Sequence, residues 1–324
     1  MPLRYVEDGL ESLYSVFNHI VSLAFWLHVA RGFHIIGGVF LNLMKLFFPV
    51  VVLAGVCLLA GCFDHREAPR RLARFDSMGA AEAAADAVQE LRLNGQNLEA
   101  LPAGVAAFCN LEKLILRDNR IVSGWEALVG LNTLRVLDLA EQGLQTVPEV
   151  VAELPALRHL YLSSNALAQW PDALCALPVL EYLNLDRNAL ASLPAGFGGL
   201  AKLRWLRLNH NALSDLPASV AELKSLERIY LRGNKLTQVP ACLQGFAKLE
   251  DLVLNENPII EIPEWVFELP ALKNLDLAKT RVTALPANFA KAVSLRRLDL
   301  SHCAIPEEAQ ASIRAALPRC VILF

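Results

Sequence analysis

Cysteine and histidine are the side chains best suited to nucleophilic or metal chemistry. The chain of 324 residues holds seven of each. None of the cysteines forms a CxxC pair, which argues against a structural zinc site or a disulfide framework. His159, His210 and His302 fall in three separate stretches, too scattered to share a metal ion, and read as ordinary surface histidines. There is no GxSxG, no HExxH and no glycine loop of the kind that cradles phosphate, so the chain reads as a non-enzyme without metal or cofactor. One cysteine has a context of its own. Cys62 follows Met44, Lys45, an apolar run from Leu46 to Leu59, and the small residues Ala60 and Gly61. A positive residue, a short apolar core and a small-residue cleavage site are the physical parts of a secretory signal peptide.

That segment accounts for part of a large apolar excess. Hydrophobic residues make up 54% of the chain, charged residues only 19%, and the mean hydropathy is +0.36. The excess lies in two places: residues 1–61, and residue 88 onward, where leucine recurs at a fixed step. Residues 1–43, upstream of Met44, read as an upstream extension from an over-extended start, with a real N-terminal membrane segment as the rival. Residues 62–77 are polar and read as a linker, and Met78–Ala87 as a short helical N-terminal cap. A net charge of −3 argues against a nucleic-acid partner, which calls for a basic excess.

From Val88 a unit of 23 residues repeats ten times, through Leu111, Leu134, Leu157, Leu180, Leu203, Leu226, Leu249, Leu272 and Leu295. Each unit reads LxxLxLxxNxL, as in Leu157, Leu160, Leu162, Asn165 and Leu167. Alternation in LxL turns two leucines to one face of a short strand and the residues between them to the other. A fixed period of this kind predicts a solenoid whose strands stack in parallel at ~4.8 Å. Asn119, Asn165, Asn188, Asn211, Asn234 and Asn257 form a column expected to be buried, its amides satisfying backbone groups of the adjoining turn. Gln96, Gln142, Thr280 and Cys303 replace it in the other four units. A proline column (Pro102, Pro148, Pro171, Pro194, Pro217, Pro240, Pro263, Pro286) marks the start of the return, where no sheet hydrogen bond is needed. In the second unit Gly124 and Trp125 stand there instead, which predicts a locally different turn. Residues 306–324 read as a closing helix and an eleventh strand. Cys109, Cys175 and Cys242 are expected as buried or half-buried apolar residues, and a Cys303–Cys320 disulfide is not expected.

The unit resembles the leucine-rich repeat family over residues 88–324. The resemblance implies an α/β solenoid with a curved parallel sheet on its concave face, short irregular or helical convex returns, and a protein-binding role without catalysis. Leu59-Ala60-Gly61-Cys62 resembles the bacterial lipobox. That implies cleavage of residues 44–61, diacylglycerol and acyl modification of Cys62, and a lipid anchor in a bacterial cell envelope. Phe63 directly after the cysteine favours the outer membrane if the cell is Gram-negative.

Function then rests on the outward strand positions. Tyr161, Tyr182, Trp205 and Tyr230 come together there with Arg207, Arg228, Arg232 and Arg187, and all three tyrosines downstream of Cys62 are among them. Aromatic and arginine side chains combine large desolvated area with a polar handle, which is what protein-binding hot spots use. Two alternatives accompany this reading: an intracellular or host-directed scaffold, with Cys62 unmodified, and an envelope glycan binder.

Overall fold

A computed structural model describes residues 72–324. The signal segment 44–61, Cys62 and residues 1–43 lie outside the described residues. Twelve strands form one sheet in sequence order, every neighbouring pair parallel. They are β1 (Arg74–Phe75), β2 (Glu90–Arg92), β3 (Lys113–Ile115), β4 (Val136–Asp138), β5 (His159–Tyr161) and β6 (Tyr182–Asn184). The second half holds β7 (Trp205–Arg207), β8 (Arg228–Tyr230), β9 (Asp251–Val253), β10 (Asn274–Asp276), β11 (Arg297–Asp299) and β12 (Val321–Leu323). From β2 to β11 the register never slips: each residue pairs with the one 23 positions on, as Tyr182 with Trp205 and Leu183 with Leu206. Constant register keeps every leucine on the same face, because a slip of one residue would turn the whole interior outward.

The sheet begins earlier than the sequence reading places it. Arg74–Phe75, inside the segment 62–77 read as a linker, pairs with Glu90–Leu91 as β1. Two residues carry no alternation to read, and their pairing covers β2 and leaves only a two-residue strand as the sheet edge. Helix α1 (Met78–Glu82) follows, its N-terminus capped by the Ser77 hydroxyl accepting from the Ala80 N–H. At the other end α2 (Glu307–Ala316) leads into β12, which is therefore the twelfth strand and not the eleventh.

Behind the strands the leucines are sealed. Leu91, Leu114, Leu137, Leu160, Leu183 and Leu206 all have zero exposure, and each such burial contributes roughly 1.5–3 kcal/mol relative to an exposed side chain. The returns are short 3₁₀ turns built on the proline column. In Pro148, Pro171, Pro194, Pro217 and Pro240 the carbonyl accepts the N–H of the residue three positions on, at 3.0–3.1 Å. Proline's missing N–H is no loss at the entry to a turn. The donating residue (Val151, Leu174, Phe197, Val220, Leu243) is the one whose side chain plugs the core. In the second unit Gly124, at the leucine place of the Leu-Pro pair, opens the turn one residue earlier than proline does elsewhere. It enters the turn at φ +79°, and a Cβ there would sit 2.4 Å from the Leu101 carbonyl oxygen, so only glycine fits.

The asparagine column knits successive units together. Asn234 Nδ2 donates to the carbonyls of Leu231 and Leu208, both at 2.9 Å, while its Oδ1 accepts from the Leu213 N–H at 3.1 Å. Asn257 repeats the pattern on Leu254, Leu231 and Leu236. Asn119, Asn234 and Asn257 are buried as expected, but Asn165, Asn188 and Asn211 are half-buried. Gln142 keeps the pattern by donating to the Leu116 carbonyl and accepting from the Ile121 N–H at 3.1 Å. Near the C-terminal end Thr280 Oγ1 donates to the Leu277 carbonyl at 2.7 Å, and the Cys303 thiol donates to the same oxygen at 3.1 Å. Gln96, at the N-terminal end of the column, is exposed.

Candidate functional site

Strand geometry sends alternate residues of β5 to β8 away from the leucine interior, onto the face the sheet presents to solvent. In one column stand His159, Tyr182, Trp205 and Arg228; in the other, Tyr161, Asn184, Arg207 and Tyr230. The structure brings the four aromatic residues into a single strip. The Tyr161 and Tyr182 ring centroids are 4.9 Å apart at 37°, and Tyr182 meets Trp205 edge-on at 5.9 Å. Arg228 covers the Trp205 ring, its guanidinium carbon 4.4 Å from the centroid, and Arg207 lies 5.2 Å from the centroid of Tyr230. Trp205 is 36% exposed, the most open ring of the strip.

Sequence columns did not reveal that Arg207 and Arg232 are hydrogen-bonded to acids of neighbouring units and that Arg228 is ion-paired with one. Arg207 Nη2 lies 2.7 Å from Asp186 Oδ2, and Arg228 Nε 3.3 Å from Asp251 Oδ2. Arg232 reaches Glu256 at 2.9 Å, and Lys279 shares that carboxylate at 2.8 Å. The Tyr230 hydroxyl donates to Asp251 Oδ2 at 3.3 Å. Asp186 and Asp251 thus complete the strip, separated by 21 to 23 positions in the chain from the groups they hold. Arg187 stands apart from them: it is exposed in the turn after β6, at φ +56°.

Burial shapes the titration of this face. The Tyr161, Tyr182 and Tyr230 hydroxyls are pushed up by desolvation and stay protonated at neutral pH. His159 is half-buried, 6.0 Å from Tyr182, and its imidazole is pushed down by burial, so it is not the freely solvated histidine the spacing suggested. Burial raises Asp138 and Asp276, whereas the hydrogen bonds from Arg232 and Lys279 hold Glu256 down at about 2.

The cysteines among the described residues, Cys109, Cys175, Cys242, Cys303 and Cys320, are free. Cys175 is buried and Cys242 half-buried as expected, but Cys109 is exposed, because it lies just past the end of its 3₁₀ turn rather than on the core side. Among the described residues no three histidine, cysteine or carboxylate side chains converge as a metal site, and no helix is long and apolar enough to cross a membrane.

Comparison with known proteins follows the repeat. A family model described as "Leucine rich repeat" matches residues 109–167, 171–213 and 206–259. Among solved structures, an internalin of Listeria monocytogenes superposes with a TM-score of 0.61 at 21% identity, over 78% of this chain and 77% of that one. A leucine-rich repeat protein of Leptospira interrogans aligns over 78% of this chain and 99% of its own, at 21% identity and a TM-score of 0.42. A search of curated protein sequences gives no match.

Proposed function

We propose that this leucine-rich repeat solenoid is a lipid-anchored cell-envelope scaffold that binds a protein partner through the concave strip from β5 to β8. The carrying observation is pre-organisation: Trp205 and Tyr230 are overlaid by arginines, of which Arg207 is hydrogen-bonded to Asp186 and Arg228 is ion-paired with Asp251. Rigid amphipathic side chains lose little entropy on binding, so their contact area converts to affinity more fully.

The same geometry weighs against a glycan. A sugar stacks on an open ring face, whereas Arg228 occupies one face of Trp205, and Tyr161 and Tyr182 lean on one another. A catalytic role has no constellation to support it, and with its arginines matched by carboxylates the strip offers no cationic track for phosphates.

Anchoring rests on Cys62 and the apolar segment before it. Two or three acyl chains, at ~0.8 kcal/mol per buried CH₂, hold a protein stably where one does not. The envelope location, outer membrane in a Gram-negative cell, follows from that anchor and Phe63. Metabolic labelling with an alkyne fatty acid tests it: label on the wild type and none on Cys62→Ser supports the anchor. No label on either favours the intracellular or host-directed scaffold. Partner binding is tested by capture from envelope extract with the wild type and with Tyr182→Ala combined with Trp205→Ala.

A further inference from the structure

Beside the strip, toward the N-terminal end of the sheet, lies a hollow of about 340 Å³. Its lining runs across four strands: Arg92 on β2, Lys113 and Ile115 on β3, Val136 and Asp138 on β4, and His159 and Tyr161 on β5. Through Tyr161 it is continuous with the aromatic strip.

Charge in the hollow is unevenly matched. Arg92 Nε donates to Glu90 Oε1 at 2.5 Å, and Lys113 Nζ stands 3.6 Å from that same oxygen. Two cations therefore share one carboxylate, which is itself only 8% exposed. Among the described residues, the Arg92 Nη groups and Lys113 Nζ donate no hydrogen bond, although about two-thirds of each side chain is already removed from water. These donors are open to an incoming anion, which they would bind by charge-assisted hydrogen bonds. The other acid of the hollow, Asp138, lies on β4 and accepts from the Ala140 N–H at 3.0 Å; burial raises its carboxyl, against the pull of Arg117 and Lys113. His159, pushed down by burial, adds no positive charge at neutral pH. Between the cations and the rings, Ile115 and Val136 make an apolar floor.

We infer that this hollow takes an acidic side chain of an extended peptide segment of the partner: its carboxylate on Arg92 and Lys113, its apolar neighbours over Ile115, Val136 and Tyr161. The inference rests on the protein-binding reading of the strip and supplies the partner's chemistry. From β2 to β8 is six strand spacings, roughly 29 Å, which ~9 extended residues cover. The bound segment then carries Asp or Glu at one end and aromatic or aliphatic residues toward the other.

A random library of peptides of about 12 residues, selected on the immobilised full-length protein, tests this. The comparison is Glu90→Gln/Arg92→Gln/Lys113→Gln, which removes the charges together and leaves no stranded carboxylate, with Lys113→Gln alone as the milder change. Wild-type selections are expected to be enriched several-fold in Asp and Glu at one end. The triple variant loses that enrichment and keeps the aromatic and aliphatic preference, and Lys113→Gln lies between. Wild-type peptides without acidic enrichment, no selected peptides at all, or the same enrichment on the triple variant overturn the inference. The parallel selection on Tyr182→Ala/Trp205→Ala separates the two readings. If its peptides keep both the acidic end and the apolar preference of the wild type, the strip is not the contact surface, while the carboxylate site in the hollow stands.

Discussion

Arg228 lies over Trp205 at 4.4 Å from the ring centroid while Asp251, one strand on, is its ion-pair partner at 3.3 Å. Arg207 repeats the arrangement over Tyr230 with Asp186. These acids act as positioning residues. Asp251→Asn and Asp186→Asn should each weaken partner binding about five-fold, since an unheld arginine must be ordered on binding at about 1 kcal/mol. Titrated capture of the partner measures this. Thermal unfolding should shift as well, by about 1–3 kcal/mol for Asp186→Asn, because Asp186 is buried and its bond from Arg207 is charge-assisted, so binding is compared on folded protein.

The columns were readable because a 23-residue period repeats every physical requirement ten times over: leucine for the interior, asparagine for the turn, proline for the return. The tyrosines, Trp205, Arg207 and Arg228 could be placed on one face by the same arithmetic, whereas Arg187, placed there too, sits in the turn after β6. What could not be read were relationships between columns. The Arg207–Asp186 pair joins an outward strand position to the second residue after the strand of the previous unit, and nothing in either column singles out the other. Strand β1 was hidden for the opposite reason, since Arg74 and Phe75 belong to no column at all. Cys109 and the half-buried asparagines depend on how tightly each turn closes, which spacing does not record.

Asn234→Ala should lower stability by about 1–3 kcal/mol, because it strands the Leu213 N–H in a buried turn and takes one of two amide donors from the Leu208 and Leu231 carbonyls, which keep Asn211 and Asn257. Asn188→Ala, at a half-buried position, should cost less. Urea unfolding of the two variants gives the comparison. Equal midpoints would show that the column is not what ties the units together.

Each turn places the residue before the asparagine column in the left-handed region. Ser164, Arg187 and His210 lie at φ +53° to +58°, and glycine stands there at Gly233. Left-handed backbone costs an L-residue roughly 1–2 kcal/mol. Gly233→Ala should therefore destabilise by about that amount, the more so because its Cβ would come within 2.6 Å of His210 Nδ1. Arg187→Gly should be neutral or stabilising by under about 1 kcal/mol, as backbone entropy offsets part of the relief. Thermal unfolding of both variants checks the sign.

Carboxylates of the solvent-facing side should respond to acid in opposite senses. Glu256, held down at about 2 by Arg232 and Lys279, contributes stability that is present above its unfolded pKa of about 4.5 and is lost as pH falls toward 2. Asp276 is raised, first by burial and then by Asp299, so its charged form opposes folding at neutral pH and the penalty is relieved as pH falls through its folded pKa. Asp276→Asn should stabilise the protein at pH 7, because the asparagine oxygen can still accept from the Ala278 N–H. Glu256→Gln should flatten the loss of stability between about pH 4.5 and 2. Denaturation series across pH decide both.

Binding through the strip is tested most directly by quantitative capture from envelope extract, comparing the wild type with Tyr182→Ala combined with Trp205→Ala at matched folding by circular dichroism. Two truncated hot-spot residues at about 2 kcal/mol each predict that captured partner falls by well over about ten-fold. Undiminished capture by the double variant would contradict the assignment and place the binding surface elsewhere on the solenoid.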